Sequence, residues 1–419
     1  MGKHLHKNFD DDFIKSLFQK YLMKQLSANQ ILDILQIKRR RFFILLKKFK
    51  SSPDNFTVAY QRKNQKRISQ ELENIILKEL ALDKKLIRDR NIPLTSYNYS
   101  YIKHRIEDKY HLKVSSPTII KRAKENDFYL PKKERKKHDR EVLTNYPGEL
   151  IQHDSSHHLF APYSGEKWYL ITSIDDYSRY ILYAKFLKKE TTWAHIMALE
   201  STVSGYGIPL KYYVDCHSIF RFVQGRDSAW RNHRKLTDQA TPQFKQVLND
   251  LNIDIAYALS PQAKGKIERP YQWMQDRVIR TCARENVKDI IKGQNILGAE
   301  IDRYNNKQKH STTDEVPVKR LQNAIRNNQS LFREYKISTP YQSSKDIFCL
   351  RDKRIVDPYH KISIKNQQLK IRGVPLREQV EIRIVPDMQK GVSELRFWYK
   401  NKLVDLHTMK NSDLDIVQF

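Results

Sequence analysis

Between Gly148 and Arg284 the chain alternates short apolar runs with amphipathic ones in an order that few folds accommodate. ELIQHD reads as a strand, and KWYLITSI and YILYAKFL read as a hairpin about the turn DDYSR. TTWAHIMALESTVSGYG carries helical patterning and ends at glycine. LKYYVD and IDIAYAL are two further strands, and a long helix is expected from about Ala263 to Arg284. The resulting β-β-β-α-β-α-β-α order predicts an α/β domain, a mixed sheet with helices on its faces.

Upstream the patterning is helical. Phe13, Leu17, Phe18, Tyr21 and Leu22 recur at the spacing of one helix face. Ser27 followed by Gln30 predicts a capping box, in which hydroxyl and amide each satisfy an orphan backbone donor. ANQILDIL, a break at Gln36-Ile37, and a helix opening on Lys38, Arg39, Arg40 and Arg41 predict a helix-turn-helix unit. Its basic head would meet phosphates or guanine edges, while Phe42, Leu45, Leu46 and Phe49 pack inward. An ordinary helical bundle with a solvated basic face is the alternative. A second such unit is expected over 67–130, ending in a basic helix capped by Ser116, begun at Pro117 and carrying Lys121 and Arg122.

PKKERKKH opens a basic linker whose lysines suit phosphates. Far downstream, KISIK, QLKIRG, QVEIRIVP and LRFWYKNKLVDL are short strands that predict a small C-terminal β-barrel, with Trp398 and Tyr399 in its core. The expected organisation is multidomain: all-α helix-turn-helix units at 1–66 and 67–130, a linker at 131–147, a catalytic α/β domain at 148–325 and the β-rich domain at 340–419.

Charge follows the same division. Residues 1–140 carry a net +18, residues 141–300 only +2, and the remaining 119 residues +9. A near-neutral centre between basic flanks points to a catalytic body between parts that grip a polyanion, nucleic acid ahead of a membrane surface. A uniform lysine bias would not skip the centre. No stretch approaches the roughly 20 apolar residues of a membrane span. MGKHLHKNFDDD lacks the apolar run of a secretory signal. Cys216, Cys282 and Cys349 are scattered without a CxxC pair, which argues against a disulfide framework and for a reducing cytoplasm.

Chemistry concentrates in three carboxylates. Phosphodiester attack is slow because nucleophile and phosphate are both anionic, and two divalent cations about 4 Å apart relieve this by activating one oxygen and neutralising another. Hard cations such as Mg²⁺ take oxygen ligands, so such a centre needs carboxylates gathered from different elements. Asp154 closes the first strand, Asp215 closes LKYYVD, and Glu268 sits in the first turns of the last long helix. If the first and fourth strands are neighbours, both aspartates meet at one sheet edge and the glutamate reaches in from its helix.

Four segments carry a family resemblance. SPQAKGKIER resembles the final-glutamate segment of the integrase-core superfamily of retroviral integrases and insertion-sequence transposases. GELIQHDSSHH resembles its first-aspartate strand, and SIDDYSRYILYAKF the hairpin that follows. YVDCHSIFRFVQGRDSAW resembles the second-aspartate segment of ISNCY-type transposases. The resemblance covers about residues 145–325. It implies an RNase-H-like core in which Asp154, Asp215 and Glu268 form a DDE triad holding two Mg²⁺ or Mn²⁺ ions. It also implies a DNA transposase that hydrolyses an element's 3′ ends and joins them to target DNA. Double-stranded DNA, as element ends and as target, would be its partner, handled by a homo-oligomer, with no membrane and no small-molecule substrate. The expected location is the cytoplasm of a bacterium, at the nucleoid. The sequence shows no N-terminal His/Cys zinc module, which points to a bacterial element, and it departs from the family pattern in two places within the core. RFVQGRDSAWRNHRKLTD lengthens the gap before Glu268, and Cys216-His217 stand where integrases often carry Asn-Gly.

Neighbouring residues add expectations of lesser reach. Lys264 lies four residues before Glu268 and is expected to contact phosphate, with Lys266 and Arg269 as further candidates. Asp175 and Asp176 are expected in the hairpin turn, with Arg179 near enough to pair. His153, His157 and His158 crowd Asp154 without the spacing of a closed zinc centre. Asp227 and Asp238 are alternatives to Asp215 as ligand, and Cys216 reads as a small buried residue. Two other functions stay open: a non-catalytic helix-turn-helix regulator on a transposase scaffold, and an RNase-H-like nuclease without strand transfer.

Overall fold

The structure is a computed structural model that describes residues 5, 8–59, 68–131, 144–215, 219–220, 242–258, 265–364 and 367–414. Of residues 265–269 it describes the backbone alone. The chain forms two compact units, Met1–Glu73 and Asn74–Phe419.

The first unit holds α1 (Asp11–Leu22), α2 (Ala28–Leu35) and α3 (Arg39–Ser51). Asp10 caps α1 by accepting from the Phe13 amide at 2.7 Å. The capping box of α2 forms as the sequence predicts: Gln30 N–H donates to Ser27 Oγ and Ser27 N–H donates to Gln30 Oε1. Gln36 then takes a left-handed φ of 50° and turns the chain towards α3. Phe18 sits at the centre of this unit, its ring 5.6–5.8 Å from those of Phe42, Phe49 and Phe56. Leu45, expected to pack inward, is only partly buried.

The second unit begins within α4 (Gln70–Arg88) and continues through α5 (Tyr99–Tyr110) and α6 (Ser116–Glu125). The α6 cap is one residue earlier than the sequence suggests. Ser115 accepts from the Thr118 amide at 3.2 Å, so Ser116 is already helical. Ser115 has the extended backbone a cap needs.

A five-stranded sheet follows, made from β1 (Ile151–His158), β2 (Trp168–Asp175), β3 (Ile181–Leu187), then α7 (Thr192–Tyr206), β4 (Lys211–Val214), α8 (Gln243–Asp250) and β5 (Asp254–Tyr257). Its strand order is β3-β2-β1-β4-β5. The hairpins β1–β2 and β2–β3 are antiparallel, and β4 and β5 add in parallel. This is the mixed sheet that the order of strands and helices in the sequence predicts. Helix α7 ends at Gly207, as read from the sequence, with a φ of 103°. A side chain there would strike the Arg333 carbonyl, 2.5 Å from an added Cβ.

Helices α9 (Gly265–Arg284), α10 (Ile290–Asn306) and α11 (Pro317–Arg326) follow the sheet. One apolar cluster joins Trp168, Leu170 and Phe186 of the sheet to Met274, Val278 and Leu297 of α9 and α10. The other face is covered by Ile196 and Leu199 of α7 and Phe244 and Val247 of α8.

That second cluster runs on without a break into the C-terminal strands. These are β6 (Leu350–Ile355), β7 (Lys361–Ile364), β8 (Gln367–Lys370), β9 (Gln379–Asp387), β10 (Val392–Tyr399) and β11 (Lys402–Lys410). The expected closed barrel is not what they form. Among the described residues β11-β10-β9-β6 make one open sheet and β7-β8 a separate hairpin. Ile362 and Ile364 of the hairpin are buried against Val380, Ile382 and Phe397, so side-chain packing joins the two sheets where a barrel would use backbone hydrogen bonds. Trp398 is buried as expected, and Tyr399 half-buried.

Helix α9 is clamped to the helices before the sheet by buried charge. Arg280 meets Asp83 at 2.6 Å and Asp276 at 2.9 Å, Arg284 meets Asp83 at 2.5 Å, and Glu79 also pairs with Arg284. Burial opposes the charge on Arg280, but Asp83 and then Asp276 outweigh it and hold the guanidinium above its ordinary range. Removing one partner of a buried pair strands the other. Asp83→Ala is therefore expected to cost about 3–5 kcal/mol, read as a lowered urea midpoint of the full chain.

Candidate active site

Asp154 lies in the middle of β1 and not at its end, because the β1–β2 pairing continues to His158 opposite Trp168. Asp215 directly follows β4. The two strands pair in parallel with Ile151 opposite Tyr212 and Gln152 opposite Tyr213, an offset of 61 positions. Asp215 also follows Asp154 by 61 positions, so continuing the register sets the two aspartates level on adjacent strands. Neighbouring strands lie about 4.8 Å apart, close enough for two carboxylates to share a cation.

Helix α9 approaches the same place. Tyr271 is buried, and its hydroxyl lies among Asp154, Glu190 and Asp215, beside Thr172. Thr172 stands opposite Asp154 in the β1–β2 ladder. Burial first, then the Asp154 carboxylate, push the Tyr271 hydroxyl well above its ordinary range, so it stays a proton donor. Neither that hydroxyl nor the one on Thr172 finds a well-formed hydrogen bond among the described residues. A buried donor facing carboxylates suits a further oxygen ligand arriving there. Glu268 lies on α9 three residues before Tyr271, and its side chain is outside the described residues. Pro270 follows it inside the helix, where it has no N–H to bond back to Lys266.

Among the described residues no group of three His, Cys, Asp or Glu side chains is poised to hold a metal ion. His153 is occupied elsewhere: it is fully buried, 2.9 Å from Ser173 Oγ and 2.8 Å from His195. His157 stacks on Tyr169 with ring centroids 4.1 Å apart. Cys216, His217, Asp227, Asp238 and Lys264 fall outside the described residues, as do the side chains of Lys266 and Arg269.

The basic candidates divide. Lys38, Arg39, Arg40 and Arg41 are all exposed at the start of α3, where no side chain caps the helix. On α6, Arg122 binds Glu125 at 2.7 Å, and Lys121 lies 3.8 Å from the same carboxylate. Glu190 and Tyr271 escaped the sequence reading. Tyr271 carried a usable signal, its i+3 spacing from Glu268; Glu190, one acid in a loop, carried none.

Sequence comparison decides the kinship. Over 262 residues the chain is 30% identical to the transposase for insertion sequence IS1202 of Streptococcus pneumoniae, covering 61% of this chain and 53% of that protein. The chain is a relative of transposases. It is also 28% identical over 259 residues to y4bF of Sinorhizobium fredii, described as a transposase, covering 62% and 52%. The chain thus spans about half the length of the curated relatives it matches. No family model matches. Among solved structures, the HTLV-2 integrase catalytic core domain in complex with magnesium aligns at a TM-score of 0.31 and 18% identity, covering 42% of this chain and 96% of that one. A simian T-cell lymphotropic virus intasome chain aligns at 0.32 and 13%, covering 64% and 81%.

Beside the site, the DDYSR turn is a buried hub where the sequence suggests only a turn. Asp175 accepts from the Gly148 amide at 2.9 Å and from the Ser178 amide and hydroxyl at 2.8 and 2.5 Å. Asp176 pairs with Arg179 at 2.8 Å, the expected partner, and accepts from Thr144 and Gln152. Burial pushes the Asp175 carboxyl up to about 6, against the lowering hydrogen bonds of Ser178 and Gly148. The folded state therefore holds this proton more tightly than the unfolded chain. The stabilisation is complete below the unfolded value of 3.8 and is lost as pH rises through about 6. At about 1.4 kcal/mol per pH unit, the loss is on the order of 3 kcal/mol. Asp175→Asn removes this titration, so wild-type stability relative to the variant is expected to fall by that amount between pH 4 and 7 in urea melts.

Proposed function

We infer that this chain is a metal-dependent DNA transposase whose centre is Asp154, Asp215 and Glu268. The observation that carries the reading is the parallel register that brings Asp154 and Asp215 level, in a chain related to transposases over about three-fifths of its length. The residues suit a hard divalent cation, Mg²⁺ or Mn²⁺. The donors are carboxylate oxygens on adjacent strands, and the buried Tyr271 hydroxyl of α9 lies beside them. When bound, two such ions would activate an attacking oxygen and neutralise the leaving one.

The protein's own part is to gather and orient. Asp154 and Asp215 hold their carboxylates on a sheet whose spacing is fixed by backbone hydrogen bonds, and Glu268 joins them from α9. The first nucleophile is water at the element's 3′ ends. The second is the 3′-hydroxyl so released, which attacks target DNA. Lys264, Lys266 and Arg269 flank Glu268 in sequence and are assigned to the phosphates beside the reacting bond.

DNA recognition is assigned to the helix-turn-helix units at 1–66 and 67–130, the linker at 131–147 and the β-rich segment at 340–419, around a core at 148–325. In the first unit electrostatics favours the start of α3. A helix N-terminus carries partial positive charge, so four consecutive basic residues there oppose the dipole. A phosphate backbone relieves that repulsion, which makes Lys38, Arg39, Arg40 and Arg41 the leading phosphate contacts. Lys121 and Arg122 would have to exchange Glu125 for phosphate. Pairing two DNA ends calls for more than one protomer.

The test is Mg²⁺-dependent cleavage and joining of DNA bearing the sequences that flank the gene. Asp154→Asn and Glu268→Gln are expected to lower cleavage at least about a thousandfold, roughly 4 kcal/mol of barrier. Variants that cut as well as wild type would sink the assignment. Cleavage without joined products would favour a nuclease, and binding without cleavage a regulator.

A further inference from the structure

Glu190 lies in the loop between β3 and α7, in none of the segments that carry the family resemblance. One of its oxygens, Oε1, accepts two hydrogen bonds. The first comes from Ser155 Oγ. The second comes from His195 Nε2 at 3.0 Å. His195 Nδ1 lies 2.8 Å from His153 Nε2, and His153 Nδ1 lies 2.9 Å from Ser173 Oγ. Ser155 and His153 are the two residues that flank Asp154. In a strand they share one face while Asp154 takes the other. A single carboxylate oxygen thus tethers both neighbours of Asp154, one directly and one through His195.

A carboxylate only accepts, so His195 Nε2 donates to Glu190. The contact between His195 Nδ1 and His153 Nε2 continues the series to Ser173. The imidazoles are held rigidly as well: both are fully buried, and His153 stacks on Phe244 with the rings 10° from parallel.

We propose that Glu190 is a positioning residue for the metal centre, bracing the β1 segment that carries Asp154 through Ser155 and the His195–His153 pair. The proposal rests on the reading of Asp154 as a metal ligand. A role as ligand is the competing one, and variants that keep or remove the acceptor separate the two. The brace acts by hydrogen-bond acceptance, which an amide oxygen retains and a methyl group does not.

Mn²⁺ binding to the full chain, measured by titration calorimetry without DNA, tests this. Glu190→Ala is expected to weaken Mn²⁺ binding about 10- to 100-fold, the usual effect of losing an outer-shell partner. Glu190→Gln is expected to retain affinity to within about threefold by keeping the acceptor. Equal losses in both variants would overturn the proposal in favour of a ligand, and wild-type affinity in Glu190→Ala would overturn it outright. Should Glu190→Ala fail to fold, Ser155→Ala removes the direct tether alone, and unchanged affinity there overturns the proposal. Asp154→Asn separates the two levels. If it binds Mn²⁺ like wild type, the metal-site reading falls. If it loses Mn²⁺ while Glu190→Ala does not, the brace alone falls.

Discussion

The parallel pairing of β1 with β4 is the constraint on which the rest of the site depends. Two register pairs, Ile151 with Tyr212 and Gln152 with Tyr213, fix an offset equal to the separation of Asp154 and Asp215. A slip of one residue would turn every side chain of β4 to the opposite face. Burial prevents the slip: Tyr212 and Val214 are fully buried, as is Ile151 beside them. The same apolar contacts that stabilise the sheet therefore decide which carboxylates can meet.

A second constraint acts on the third member. Glu268 sits on a helix whose far end is gripped by Asp83 and Glu79 of α4 through Arg280 and Arg284. Asn98 adds a hydrogen bond to Asp276, and Tyr101 one to Thr281. Buried ion pairs contribute little net stability but tolerate few alternative geometries. The helices ahead of the sheet thus set the direction of α9, and Pro270 separates the gripped part from the turn that carries Glu268. In the proposed transposase, a helical region assigned to DNA would then be mechanically continuous with the helix that completes the centre.

How much of this was legible in the sequence follows from range. The order of strands and helices in the sheet domain and the Ser27–Gln30 box depend on neighbours a few residues away, and they emerge as read, whereas the cap of α6 and the end of β1 are displaced. Asp215 at the end of β4 was legible because an apolar strand stops there. The burial of Asp175 and Asp176 was not, since Gly148, Thr144 and Gln152 are distant in sequence and a DDYSR turn alone looks solvent-facing. Glu190 was equally hidden, because its partners lie 35 positions upstream and 5 downstream. The open C-terminal sheets differ from the expected barrel for a related reason. Strand patterning reveals which faces are apolar, but not whether the last ladder closes.

In the proposed centre Asp154 and Asp215 hold a divalent cation between them with Glu268 alongside. Anomalous diffraction from crystals of the full chain grown with Mn²⁺ tests it most directly. The expected result is a manganese peak within about 2.0–2.3 Å of carboxylate oxygens from both aspartates, with Glu268 at the same centre. Manganese bound elsewhere, with the two aspartates level but unbridged, would contradict it.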